Sequence, residues 1–146
     1  MRDQHQARMS PWSRRLLVLE AMMWLLIART AIACIPFARI GKYLGTLQPP
    51  SSISTPEDIQ RDPIHHIAWA VNRAANMLPF RMVCLPRGLA AWQMLHRRQL
   101  PGHLHFGVIK DACATISSHA WLDVWGVEVT GYPEAYDCVE IGYYAR

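Results

Sequence analysis

The sequence predicts an α+β fold in which N-terminal helices are followed by a small antiparallel sheet. Apolar residues recur at three- and four-residue steps before residue 103, and alternation of apolar and polar residues replaces that period afterwards. With 146 residues, 51% hydrophobic and 18% charged, the composition excludes a disordered chain. We expect residues 1–146 to form a single domain, with a helical region at residues 12–50 packed on a core of residues 55–144.

The first helix is predicted over residues 16–37, an apolar segment about as long as a membrane span. Glu20 and Arg29 lie inside it, and a charge is costly at the centre of a bilayer. We therefore interpret the segment as a helix docked on the domain. Peripheral contact with a membrane surface is the second choice, because basic residues flank the segment. These residues are Arg14, Arg15, Arg39 and Lys42.

The N-terminus carries no recognisable signal peptide, because the apolar run starts late, contains a carboxylate and lacks a clean cleavage site. We therefore expect a cytoplasmic chain with free thiols.

Three further helices are predicted from apolar periodicity and from Gly, Pro or capping residues at their ends. They cover residues 37–44, 59–78 (after a capping sequence at 55–58) and 84–98. Alternating residues then predict an antiparallel meander with a turn at Trp125 and Gly126. Its strands cover residues 103–109, 118–124 and 127–130, and residues 139–144 could supply a last strand.

Cys84 is the strongest candidate for chemistry, because an irregular segment enters a helix at this residue. Backbone N–H groups and the positive end of the helix dipole favour a thiolate over a thiol there. His119 lies on a downstream strand, and a histidine from a separate element can act as the base for a cysteine nucleophile. The alternative for Cys84 is a small buried apolar residue, and a lone strand histidine is usually structural.

A third group should orient the imidazole of His119. Asp123 shares its strand face, but a separation of four residues corresponds to roughly 13 Å along a strand, too far for a direct hydrogen bond unless the strand bends. Beyond the predicted turn, Glu128, Thr130 and Glu134 follow, and none is an obvious acid opposite His119.

The remaining candidates are weaker. Trp121 and Trp92 are predicted to bind substrate as groove walls, although tryptophans are more often part of a core. His103 and His105 share a strand face, but without a third ligand we predict no metal and no cofactor. The absence of a GxGxxG or Walker motif argues against hydride-transfer or ATP-driven chemistry by this chain alone. A net charge of +4 without a dense basic run argues against nucleic acid.

Five short stretches of the sequence together carry a family resemblance. They are LEAMMWLL at 19–26, CLPRGLA at 84–90, LHRR at 95–98, FGV at 106–108 and HAWLD at 119–123. This set resembles the transglutaminase-like B2 proteins of lasso-peptide biosynthesis, and the similarity extends over roughly residues 12–144. The resemblance implies a transglutaminase/papain-like core in residues 55–144, with the nucleophile at a helix N-terminus.

The resemblance also implies a cysteine protease that cleaves the leader from a ribosomally made precursor. It assigns the nucleophile to Cys84 and the base to His119. The family's acid position falls near Thr130 and Gly131, which are not acids. Asp123 is then taken as the third catalytic member, with Glu134 or a backbone carbonyl or amide as alternatives.

The implied partners are the precursor peptide, a separate leader-binding protein and an ATP-dependent lasso macrolactam synthetase. A related acyl transfer, such as amide formation or deamidation, is the alternative activity. A non-catalytic, membrane-associated scaffold is the alternative without chemistry.

Overall fold

The computed structural model describes residues 9–50, 60–110 and 115–145, and in them four helices accompany a five-stranded antiparallel sheet. This confirms the predicted α+β class. The helices are α1 Pro11–Cys34, α2 Phe37–Leu44, α3 Arg61–Met77 and α4 Cys84–Arg97. The strands are β1 Leu47–Gln48, β2 His103–Lys110, β3 Ile116–Val124, β4 Val127–Thr130 and β5 Val139–Ala145. The capping sequence expected at 55–58 lies outside the described residues.

Helix α1 begins earlier than the apolar pattern predicted, because Ser10 caps it. The Ser10 hydroxyl accepts a hydrogen bond from the Ser13 N–H at 3.1 Å, and Pro11 occupies the first helical position. One face of α1 packs against α3 and α4, whereas the opposite face leaves large apolar side chains exposed. These exposed residues are Trp12, Leu16, Leu19, Met23, Leu26 and Ile27.

In the described part of the chain, α1 is the one helix that passes a length and hydropathy criterion for a membrane span. A core helix and a signal sequence pass the same criterion. Its internal carboxylate has a partner in the domain: Glu20 Oε2 lies 2.7 Å from Nη2 of Arg98, next to the end of α4. This hydrogen bond lowers the pKa of Glu20 and fixes α1 to α4.

The sheet order is β1-β5-β2-β3-β4, so the chain does not continue as the simple meander that the alternation predicted. Strands β2, β3 and β4 do form a meander, but a short 3-10 turn, Glu134–Asp137, precedes the return of β5 to the far side of β2. In the described residues β4 pairs only with β3, which leaves β4 at the edge of the sheet.

Helices α3 and α4 cover one face of the sheet. Leu104 and Leu122 point from neighbouring strands into this core and are fully buried, as is Met94 of α4. Gly88 lets α4 approach the sheet closely, because a Cβ there would lie 2.8 Å from Leu104 Cδ1. This packing brings α4 next to β3 and β4.

Candidate active site

Cys84 is the first residue of α4, as the sequence predicted. The preceding Val83 has extended backbone angles, and no side chain caps the helix start. The first N–H groups of the helix are therefore not occupied by a capping side chain. The segment before the helix is fixed by a residue of the helix itself, because Nε of Arg87 donates a hydrogen bond to the Met82 carbonyl oxygen at 3.1 Å. The Cys84 side chain is partly exposed.

His119 lies on β3 and reaches the backbone just beyond β4. Its Nε2 is 2.8 Å from the Gly131 carbonyl oxygen. Because a carbonyl can only accept, Nε2 carries the proton, and the neutral imidazole therefore keeps its lone pair on Nδ1. The ring also stacks on Trp121, with centroids 6.2 Å apart and planes inclined by 18°. Both contacts hold the imidazole in one orientation.

Gly131 is required at its position by space as well as by backbone angle. Its φ is +86°, and a Cβ there would lie 2.6 Å from Trp121 Cβ and 2.7 Å from the Ala120 carbonyl oxygen. The missing side chain allows the backbone to approach β3 closely. Its carbonyl also accepts the Ala135 N–H at 3.1 Å. A carbonyl thus occupies the place where the family resemblance expected an acid.

Cys84 and His119 line the same cavity, which has a volume of about 1230 Å³. One wall comes from α3, with Arg61 and Trp69, and the opposite wall is β4 together with the residues on either side of it. The Tyr132 phenol also lines this cavity, and burial, followed by the nearby carboxylates, raises its pKa. Tyr132 therefore remains a neutral hydrogen-bond donor at neutral pH.

Asp123, the predicted third catalytic member, is buried away from His119. One of its oxygens lies 3.3 Å from His103 Nδ1 and accepts the Gly126 N–H at 3.2 Å. The other lies 3.0 Å from His105 Nε2, as an ion-pair contact rather than an aligned hydrogen bond. Burial opposes ionisation of Asp123, but its histidine partners outweigh this and lower its pKa. No contact in the described residues joins Asp123 to His119.

His105 stands between two carboxylates. Its Nδ1 donates to Glu140 Oε1 at 2.6 Å, while Nε2 faces Asp123. Burial alone would lower the pKa of His105, but the hydrogen bonds and charges of Asp123 and Glu140 raise it. An acceptor beside each nitrogen favours the imidazolium over the neutral ring. His103 and His105, which share a strand face, thus belong to an ion cluster with Asp123 and Glu140.

The two tryptophans predicted to bind substrate do not line the cavity. Trp121 is buried and stacks on His105 with centroids 5.3 Å apart, so it lies between that ring and His119. Trp92 is 2% exposed and stacks on His96 in the core. Their substrate-binding role stays a prediction. Trp69 and Trp125 do line the cavity.

The described residues contain no group of three or more His, Cys, Asp or Glu side chains placed to hold a metal ion. The site does contain a thiol at an uncapped helix start and an imidazole whose Nε2 faces a carbonyl oxygen. A helix-terminal cysteine and a strand histidine that line one cavity are residue types that acyl-transfer chemistry uses, and they lie here in an α+β domain.

Comparison with known families agrees with this class. The transglutaminase-like superfamily matches residues 22–140, and the chain belongs to that family. The family includes cysteine proteases and acyl transferases. Searches of curated proteins and of solved structures found no match.

Proposed function

We propose that the chain is a cysteine protease that removes the leader peptide from a lasso-peptide precursor. The observation that carries the chemical part of this proposal is the shared cavity of Cys84 and His119, with the His119 proton fixed on Nε2 by Gly131. The family supplies the reaction class, and the motifs at residues 84–90 and 119–123 support the subfamily.

The proposed mechanism uses both side chains and the start of α4. Nδ1 of His119 takes the proton of the Cys84 thiol, and the sulfur attacks the carbonyl carbon at the leader–core junction. The N–H groups at the start of α4 stabilise the oxyanion of the tetrahedral intermediate. His119 then gives the proton to the leaving amine, and a thioester on Cys84 remains. Water activated by His119 hydrolyses the thioester and restores the thiol.

The test incubates the chain with the proposed lasso-peptide precursor and the proposed leader-binding protein and analyses the products by mass spectrometry. The wild type is expected to release two fragments with a water added at one bond. Cys84→Ala should release none, whereas Cys34→Ala, which removes an exposed cysteine of α1, should cut normally. Trimming by Cys84→Ala contradicts the proposal.

The same mass measurement distinguishes proteolysis from the alternative activity, acyl transfer. That alternative is supported because the family also includes acyl transferases. A thioester attacked by an amine gives a cross-link, with loss of ammonia if a glutamine is the acyl donor. Deamidation raises the mass by about 1 Da. Intact precursor with either mass change would assign acyl transfer, and unchanged precursor would favour a scaffold.

The proposed partners are the precursor, a separate leader-binding protein and the ATP-dependent macrolactam synthetase, which would receive the released core peptide. We also propose that the exposed face of α1 lies on an anionic membrane surface. It carries no free acid, because Glu20 is turned toward Arg98, and the exposed side chain of Arg15 lies at its border. Apolar side chains with basic neighbours favour such a surface.

A further inference from the structure

The cavity that contains Cys84 follows the free edge of the sheet. All four residues of β4 line it, and the opposite wall is one face of α3. A sheet edge offers unpaired backbone groups to any extended chain that lies beside it. In the described residues, β4 has a strand partner on one side only, and its residues line the cavity; we call the unpaired side the open side.

The turn before β4 determines which backbone groups face the cavity. Trp125 and Gly126 have φ values of 47° and 79°, which corresponds to a two-residue type I′ hairpin. In such a hairpin the flanking residues, Val124 and Val127, form the hydrogen-bonded pair. Because backbone groups alternate along a strand, the N–H and C=O of Glu128 point away from β3 and toward the open side.

From this geometry we infer that the substrate binds as an extended strand on β4, pairing with the backbone of Glu128. This inference rests on the proposed peptidase function. Backbone pairing supplies affinity without reading sequence, in the manner of strand addition to a sheet edge. The α3 wall, which presents side chains such as Trp69 and Arg61, would then contact the substrate's side chains.

The experiment first identifies a cleaved peptide by incubating the wild type with a proteome-derived peptide library and sequencing the products. That peptide is then resynthesised with single N-methyl groups at successive positions. N-methylation removes one donor and adds bulk, so pairing with the Glu128 carbonyl predicts a loss of kcat/KM of about fivefold to tenfold at one position outside the scissile bond. The other positions outside the scissile bond should be cut at nearly the unmethylated rate. This arm uses the unaltered protein.

The second arm changes the strand. Glu128→Pro removes the outward N–H, and proline is tolerated at an edge where no ladder bond is lost. Glu128→Ala is the reference, because it removes the same side chain but keeps the donor. The proline variant should be about fivefold to tenfold slower than the alanine variant, at equal melting temperature.

The outcomes are distinguishable. If the wild type cuts no peptide in the library or the precursor, the peptidase function fails and this inference with it. If peptides are cut but no single N-methyl group outside the scissile bond slows cleavage, the function stands and strand addition is overturned. Equal rates for the two Glu128 variants would overturn it as well.

Discussion

Replacing Gly131 by alanine should impair catalysis, because it displaces the backbone carbonyl that orients His119. The new Cβ would lie 2.6 Å from Trp121 Cβ and 2.7 Å from the Ala120 carbonyl oxygen, and neither atom is the far end of a flexible side chain. The backbone must therefore shift, and the carbonyl that holds His119 shifts with it. A displacement of about 1 Å in a catalytic group can cost about 100-fold in rate.

The same change also has a stability cost. A left-handed conformation costs a non-glycine residue about 1–2 kcal/mol, and overpacking adds about 1–3 kcal/mol. A total of about 3 kcal/mol corresponds to a fall in melting temperature of roughly 6–12 °C for a chain of this size. The variant should therefore still fold at low temperature, where its activity can be measured.

The assay is cleavage of the best library peptide at 20 °C, with kcat and KM determined separately. We expect kcat to fall about 100-fold while KM changes little, because the carbonyl positions His119 and does not touch the substrate. Gly45→Ala is the matched control. The φ of Gly45 is +113°, a Cβ there would lie 3.5 Å from the Ala145 carbonyl oxygen, and the residue precedes β1 at the opposite edge of the sheet. It should lose stability but keep kcat. A Gly131→Ala enzyme with unchanged kcat refutes the orienting role.

Three other predictions concern charge and surface. Glu20→Gln should lower the free energy of unfolding by about 0.5–1 kcal/mol at pH 7 in urea titrations, because the bond to Arg98 is lost. Since the pKa of Glu20 is lowered from 4.5, this difference should persist above pH 4.5 and vanish as the pH falls further; no such pH dependence would contradict the pairing. The pKa of His105 is raised from 6.5, so its contribution is complete below pH 6.5 and is lost as the pH rises through the higher folded value. The stability of the wild type relative to His105→Gln should therefore decline between pH 6.5 and alkaline pH, and a constant difference would count against the imidazolium. Met23→Glu should abolish co-sedimentation with vesicles of anionic lipid. Asn76→Glu, an equal charge change at an exposed position of α3, should not; equal binding by both variants would exclude the α1 face as the membrane-binding surface.

The parts of the fold that the sequence predicted are those specified by local signals. The bounds of α2 and α4 were predicted well, because Gly45 ends the first and an irregular segment precedes the second. The return of β5 to β2 was not predicted, since strand order depends on packing between distant residues rather than on alternation. Alternation identifies a strand and its faces but not its neighbour.

The candidate site also has residues that the sequence could indicate and a group that it could not. Cys84 and His119 could be proposed from residue type and position, and the structure places both at one cavity. The orienting group could be proposed only as one of several alternatives, because a backbone carbonyl has no residue-type signature. The signal that pointed to it was a glycine where an acid was expected. Asp123 was assigned to His119 because the two residues are close in sequence, whereas the strand register places Asp123 directly opposite His103 on β2.

The most direct test of the account is to capture the acyl group on the sulfur. The protein is mixed with a p-nitrophenyl ester of the cleaved peptide, quenched in acid at successive times and mapped by mass spectrometry. The account predicts an acyl adduct on Cys84, formed at least about 100-fold more slowly in His119→Ala. An adduct confined to Cys34 or Cys138, or equal rates with and without the imidazole, would contradict it.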